Sequence, residues 1–359
     1  VGRNGLIAEY NGPHRFCNIM VHTLSGAYQK QEKSVTGQES IMEETVAQPL
    51  KLLDPRKFRD PWTTADGEPR ASVHLKKLET LWFCTGTLCN LTCEHCYIES
   101  SPSNDSLVYI SVGEVAAYLD EIEREGFGTT TIAFTGGEPF MNPDMVPILD
   151  EVLRRGYEAL VLTNAMKPMM KVSEPLLEVH QQYGDRLTMR ISIDHYSKDV
   201  HEQERGKRSW DPAIQGMQWL SEHGFNLDIA GRLFSGETEE QMRAGFARLF
   251  EREGIDMDAH DPHQVVLFPE MDEKVDVPEI TTACWSKLQV SPDAQMCASS
   301  RMVIKRKGAN HPVVVPCTLL PYQPEFELGQ TLSESFQEVP LNHPHCARFC
   351  VLGGASCSG

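Results

Sequence analysis

The segment CTGTLCNLTCEHCYIESSP, residues 84–102, places Cys89, Cys93 and Cys96 within eight positions. Three thiolates at spacings of four and three suit a cubane iron–sulfur cluster with three irons held by the protein and the fourth left open. Electron-transfer clusters usually take four cysteines, whereas a site that does chemistry must keep a position vacant. An open iron can bind a substrate or a cofactor. Spacing alone also admits a zinc site that borrows Cys84 or His95 as fourth ligand, and a redox pair made of Cys93 and Cys96.

These thiols follow a strand-like run, and the runs recur. LETLWF around 79–83, TTIAFT (130–135), EALVLT (158–163), LTMRISID (187–194), NLDIAGRLF (226–234) and HQVVLF (263–268) are short, apolar and β-branched. Helical patterns separate them. Ser111 and Glu114 form a capping box before Val115, Tyr118, Leu119 and Ile122. Asn142, Pro143 and Gly156 bracket a second helix, and others are expected over 173–184, 210–224 and 238–254. Alternating strands and helices give a parallel sheet, either doubly wound or barrel-like, with its chemistry at the carboxyl ends of the strands. The cysteine loop and TGGEPF (135–140), each leaving a strand end, then fall on the same face.

At this point CNLTCEHC with Tyr97 resembles the CxxxCxxC loop of the radical S-adenosylmethionine superfamily, and GGEP (136–139) resembles that family's second motif. The resemblance covers about residues 79–268. It implies an α/β fold, a partial (β/α)6 barrel of TIM type over 79–275, with a small cysteine-rich extension over 280–359. It implies a 4Fe-4S cluster on Cys89, Cys93 and Cys96 whose fourth iron chelates S-adenosylmethionine. One-electron cleavage of that cofactor would give a 5'-deoxyadenosyl radical that abstracts hydrogen from substrate. Gly136 and Gly137 would let the backbone approach the methionine amine, with Glu138 as acceptor for that cation, and His95 would flank the adenine. RISIDHYS (190–197) resembles the fourth-strand segment of relatives, in which Ser192 and Asp194 face the cofactor or substrate. Relatives commonly carry glycine where this chain has His195, which is expected either as a proton donor or substrate ligand, or as a hydrogen-bonded strand-end side chain. Arg205 and Arg232 are candidate partners of the cofactor carboxylate, or ordinary ion-pair members. Glu270 and Asp272, after the sixth strand, are candidate acids or bases.

The last eighty residues resemble the twitch or SPASM-type extension that follows many such barrels. Cys297 and Cys317 bracket an expected hairpin that turns at Gly308, and HCARFCVLGGASC closes the region. Six cysteines cannot fully ligate two cubanes, which leaves one auxiliary 4Fe-4S cluster, the expected case, or two with open positions. Cys297 and Cys317 are its first candidates, then Cys350 and Cys357, then Cys346 and Cys284; zinc remains the alternative there. DAHDPH (258–263) has metal-like spacing but precedes a strand, on the stability face. MKPMM (166–170) reads as packing, Cys84 as a buried strand end, and Cys17 as having no role.

With 359 residues, one large domain with a companion is the length expectation, and core size sets no need for disulfides. Eleven cysteines are an odd count, too dilute for a secreted scaffold. Neither a signal-peptide pattern nor a run of about 18 apolar residues occurs, so a cytoplasmic, membrane-free protein is expected. A net charge of −18 argues against nucleic acid, and KRKG (305–308) reads as a solvated turn. Residues 1–41 read as a disordered tail with internal start candidates Met20 and Met42, and 42–78 as a proline-bearing lead-in. The expected function is hydrogen abstraction from a small metabolite, with peptide maturation by the same chemistry as the alternative. Either needs an electron donor such as flavodoxin or ferredoxin. A zinc-stabilised or redox-sensing binding protein is the alternative from another class.

Overall fold

The computed structural model describes residues 51–357. The expected tail, Cys17 and the start of the lead-in lie outside the described residues. In chain order the elements are β1 (Ser72–Val73), β2 (Thr80–Cys84), α1 (Val112–Glu125), β3 (Thr131–Thr135), α2 (Met145–Arg154) and β4 (Glu158–Thr163). There follow α3 (Lys167–Met170), α4 (Ser173–Tyr183), β5 (Leu187–Ser192), α5 (Lys198–Arg205), α6 (Trp210–Glu222) and β6 (Asn226–Leu233). The chain continues through α7 (Glu239–Glu253), β7 (Val265–Pro269), α8 (Cys284–Leu288), β8 (Ser300–Ile304), β9 (Val313–Val315) and β10 (Val339–Pro340).

Strands β2 to β7 are parallel and paired in sequence order, as the alternating pattern requires. The sheet does not end at β2. Strand β8 pairs parallel to β2, and β9 pairs antiparallel to β8, so the C-terminal hairpin extends the barrel sheet to eight strands. In this way β2 becomes an interior strand, and all five of its residues are buried. A strand buried on both faces reads as a continuous apolar run, which TLWFC is.

Alternation along the strands divides the core. Leu81 and Phe83, Ile132 and Phe134, and Ala159 and Val161 face the helices. Trp82 and Cys84, Ala133 and Leu160 face the opposite way and pack with the extension. Helix α1 begins at the expected box: Ser111 Oγ accepts from the Glu114 N–H at 3.3 Å, and the Glu114 carboxylate accepts from Ser111 N–H at 2.9 Å. Such a cap stabilises a helix by about 1 kcal/mol. Glu114 also pairs with Lys305 at 2.6 Å, tying α1 to the loop after β8. Three helices, α3, α5 and α8, were not expected from sequence. KDVHEQER buries His201 and Glu204 and so shows no apolar period. Among the described residues no helix is long and apolar enough to cross a membrane.

Candidate active site

The cysteine loop leaves β2 and crosses the strand ends at the carboxyl face. What holds it there is the glycine pair after β3. Gly137 N–H donates to Gly86 O at 2.8 Å and Glu138 N–H to Leu88 O at 3.1 Å. The approach is close enough that a Cβ on Gly136 would meet Gly86 O at 2.4 Å, and one on Gly137 would meet Leu88 O at 2.1 Å. Gly136 also has φ +136°, a conformation that disfavours any side chain. The glycines thus serve first to dock the cysteine loop.

Cys89, Cys93 and Cys96 line one cavity with about 1000 Å³ of empty volume, bordered also by Gly136 and Gly137. Burial pushes the Cys89 thiol up to about 12 and raises that of Cys93. Loading a metal here therefore displaces protons. No three His, Cys, Asp or Glu side chains among the described residues converge on one point as a single-ion site does.

Beyond the thiols, Ser192, Asp194, Arg205 and Arg232 line the same cavity, so the structure brings these candidates together. Arg205 grips Asp194 through two hydrogen bonds, at 2.7 and 3.1 Å. Arg232 is paired to Glu204, whose side chain is 3 % exposed. Glu204 had no sequence signal. Its carboxylate accepts from His95 N–H at 3.1 Å and meets His95 Nδ1 at 3.0 Å, while its carbonyl accepts from Glu94 N–H at 2.8 Å. It therefore clamps the stretch between Cys93 and Cys96.

Glu138, Glu270 and Asp272 lie outside the cavity lining, and His195 takes the second of its two expected roles. Glu138 does not point into the cavity: one oxygen accepts from Thr163 Oγ1 (2.8 Å) and Phe140 N–H (3.2 Å), the other from Asn164 N–H (2.8 Å). It joins the ends of β3 and β4, and burial raises its carboxyl to about 7. His195 lies outside the cavity lining. Its Nε2 is 2.7 Å from Glu237, and its Nδ1 accepts from Ser197 N–H at 3.0 Å, the strand-end alternative foreseen for it. Glu270 is exposed, and Asp272 accepts from Lys274 N–H at 2.8 Å; Phe268 and Met271 line the cavity in their place. His95 lines the cavity but is held by Glu204.

Sequence reasoning gave no role to Tyr97, Thr135 or Asn164, which line the cavity. Thr135 and Asn164 stand at and just beyond strand ends, where position alone was signal enough. DAHDPH forms a turn before β7, with Asp258 and Asp261 accepting from His260 and His263 N–H at 2.8 Å each.

Residues 84–246 match the family profile described as the Radical SAM superfamily. This stretch is a radical SAM domain. Within curated proteins, the chain is 35 % identical over 147 residues to the antilisterial bacteriocin subtilosin biosynthesis protein AlbA of Bacillus subtilis, covering 41 % of this chain and 31 % of AlbA. It is 28 % identical over 158 residues to Fe-coproporphyrin III synthase of Methanosarcina barkeri, covering 43 % and 36 %. The chain thus spans about a third of the length of these relatives. Among solved structures, Streptococcus suis SuiB bound to precursor peptide SuiA superposes with a TM-score of 0.52 at 13 % identity, covering 78 % of this chain and 67 % of SuiB. That likeness is one of fold.

The cofactors of a radical SAM domain are a 4Fe-4S cluster and S-adenosylmethionine, and the residues present fit them. The cavity offers the loop's three thiols, with Cys357 in its wall, a floor stripped of Cβ atoms at Gly136 and Gly137, and two arginines beside them.

Proposed function

We propose that the chain is a radical SAM enzyme that modifies a ribosomally made peptide by hydrogen-atom abstraction. The observation that carries this reading is the meeting of Cys89, Cys93 and Cys96 with Ser192, Asp194 and Arg205 in one cavity. When bound, the cluster and S-adenosylmethionine supply one-electron cleavage of the sulfonium and the hydrogen abstraction that follows. Cys89, Cys93 and Cys96 would hold three irons. Arg205, steadied by Asp194, and Arg232, steadied by Glu204, would present cations to the cofactor's carboxylate. Gly136 and Gly137 would border its methionine portion, and Ser192 would offer a hydroxyl. Leu162, Phe268, Met271 and Phe349 exclude water from the remaining wall.

A peptide substrate is supported by AlbA, a bacteriocin biosynthesis protein, and by SuiB, which binds the precursor peptide SuiA. The small-metabolite reading is supported by the similarity to Fe-coproporphyrin III synthase, to an AdoMet-dependent heme synthase and to a GTP 3',8-cyclase. A reduced flavodoxin or ferredoxin would deliver the electron, and an auxiliary 4Fe-4S cluster in the extension would assist.

The test is anaerobic reconstitution followed by incubation with S-adenosylmethionine and dithionite. We expect 5'-deoxyadenosine from the native chain and none from Cys93→Ala. Native protein with an intact cluster and no such product overturns the reading. Added precursor peptide that leaves the reaction unmodified in mass, while a metabolite extract is altered, decides for the small-molecule reading.

A further inference from the structure

The segment that follows the third cysteine is pinned from several sides. Glu99 N–H donates to Cys96 O at 2.9 Å, closing a turn on that residue, and Cys89 N–H donates to Ser101 O at 3.0 Å, drawing the segment back across the loop. Tyr322, from the extension, donates its hydroxyl to Ile98 O at 2.6 Å. Ser100 is held between these ties, and only 4 % of it is exposed.

Two polar atoms of Ser100 face the cysteine loop's business. Its N–H donates to Cys96 Sγ at 3.4 Å. Its side chain borders the cavity, yet the buried Oγ has no hydrogen-bond partner. Among the described residues that line this cavity, Ser100 Oγ is the buried polar side-chain atom in that condition. Burying a hydroxyl without a partner is unfavourable, so what fills the cavity should supply one. With the backbone tied, rotation about χ1 is all that is left to aim it. The N–H and the hydroxyl belong to one residue, so the hydroxyl lies within a residue's breadth of the Cys96 sulfur. Other donors near the thiols are spent elsewhere: Leu91 N–H donates to Cys89 Sγ at 3.4 Å, and Asn164 Nδ2 lies 4.0 Å from that sulfur but 2.9 Å from Asn90 Oδ1.

We propose that Ser100 Oγ–H donates to sulfur of the loop's 4Fe-4S cluster, either the Cys96 thiolate or a sulfide beside it, and so raises the cluster's reduction potential. The reduced cluster carries one more negative charge, spread over its sulfurs, and a hydrogen bond to sulfur stabilises that state more than the oxidised one. The proton stays on Oγ while one electron enters from the donor. The proposal rests on a cluster at Cys89, Cys93 and Cys96, and on neither a peptide substrate nor turnover.

The full chain, reconstituted anaerobically, is titrated with dithionite under EPR without S-adenosylmethionine. Cys284, Cys297, Cys317, Cys346, Cys350 and Cys357 pack in or against the apolar cluster of the extension, so a signal that survives Cys93→Ala arises there and is subtracted. Ser100→Ala should load as much iron as the native chain and shift the loop cluster to lower potential. We expect the reduction equilibrium to weaken about tenfold, equal to about 59 mV for one electron. Ser100→Thr keeps a hydroxyl and should recover most of that shift. Ser100→Gly removes the same hydroxyl as alanine and should shift the potential likewise, which decides the matter should the alanine variant lose its iron. An unchanged midpoint in the hydroxyl-free variants, a threonine variant at the alanine potential, or a change confined to the affinity for S-adenosylmethionine each overturns the proposal; the last assigns the hydroxyl to the cofactor instead. None of these readouts depends on 5'-deoxyadenosine, so failure here and failure of the proposed function are separate results.

Discussion

Two residues next to the cysteine loop show how much a single atom decides. Gly137→Ala puts a methyl where Leu88 O stands, 2.1 Å away. Neither backbone can yield without moving the loop, so a loss of about 1–3 kcal/mol in stability is expected, with less than half the iron retained at the first site. Denaturant titration and iron analysis measure the two. Glu138 titrates near 7 in the fold because burial disfavours its charged form. Its folded value lies above the unfolded one, so its contribution is full below about 4.5 and is lost as pH rises through about 7. The difference amounts to about 3 kcal/mol. Glu138→Gln should flatten stability across that window while costing about 1–3 kcal/mol at acid pH, since its amide nitrogen would face the Asn164 N–H. Both residues were legible as a motif, but their duties were not. Sequence showed glycines and an acid at a strand end; only the packing of one loop on another showed that the acid turns inward.

At the level of elements, α5 is the lesson. Its polar sequence hid it, yet its last turn carries Glu204 and Arg205, which join the cysteine loop, β5 and β6. Strands and amphipathic helices were legible because they bury a face at a regular period. A helix that spends its inward side on charges leaves no such trace. Glu204→Ala strands the Arg232 guanidinium and releases His95 N–H, so a loss of about 3 kcal/mol is expected, together with iron loss from the first site on gel filtration. Glu204→Gln keeps an acceptor for both and should recover most of the bound iron. If the alanine variant holds iron as tightly as the native chain, α5 is not a clamp.

Taken whole, the molecule joins its extension to its barrel through one continuous sheet, which the fading periodicity after residue 280 gave no means to foresee. The six barrel strands were readable, and the hairpin around Gly308 was readable as a local unit. Its pairing with β2 spans more than two hundred residues, and no local pattern encodes so distant a partner. Deleting residues 296–357 removes β8 and uncovers Trp82 and its neighbours on the inner side. We expect the shortened chain to collect in the insoluble fraction, or to bind ANS strongly if recovered; a monomeric, ANS-silent product would show that the barrel stands alone. The same long-range pairing sets an order of events at the ribosome. Strand β2 emerges early and can join β3 soon after, but its other edge finds no mate until residue 300 has been synthesised. For that interval an apolar ribbon next to three reactive thiols is open to pairing with a neighbouring nascent chain. Translation pace and chaperone supply should therefore govern the yield of this protein more than the finished fold's own stability does.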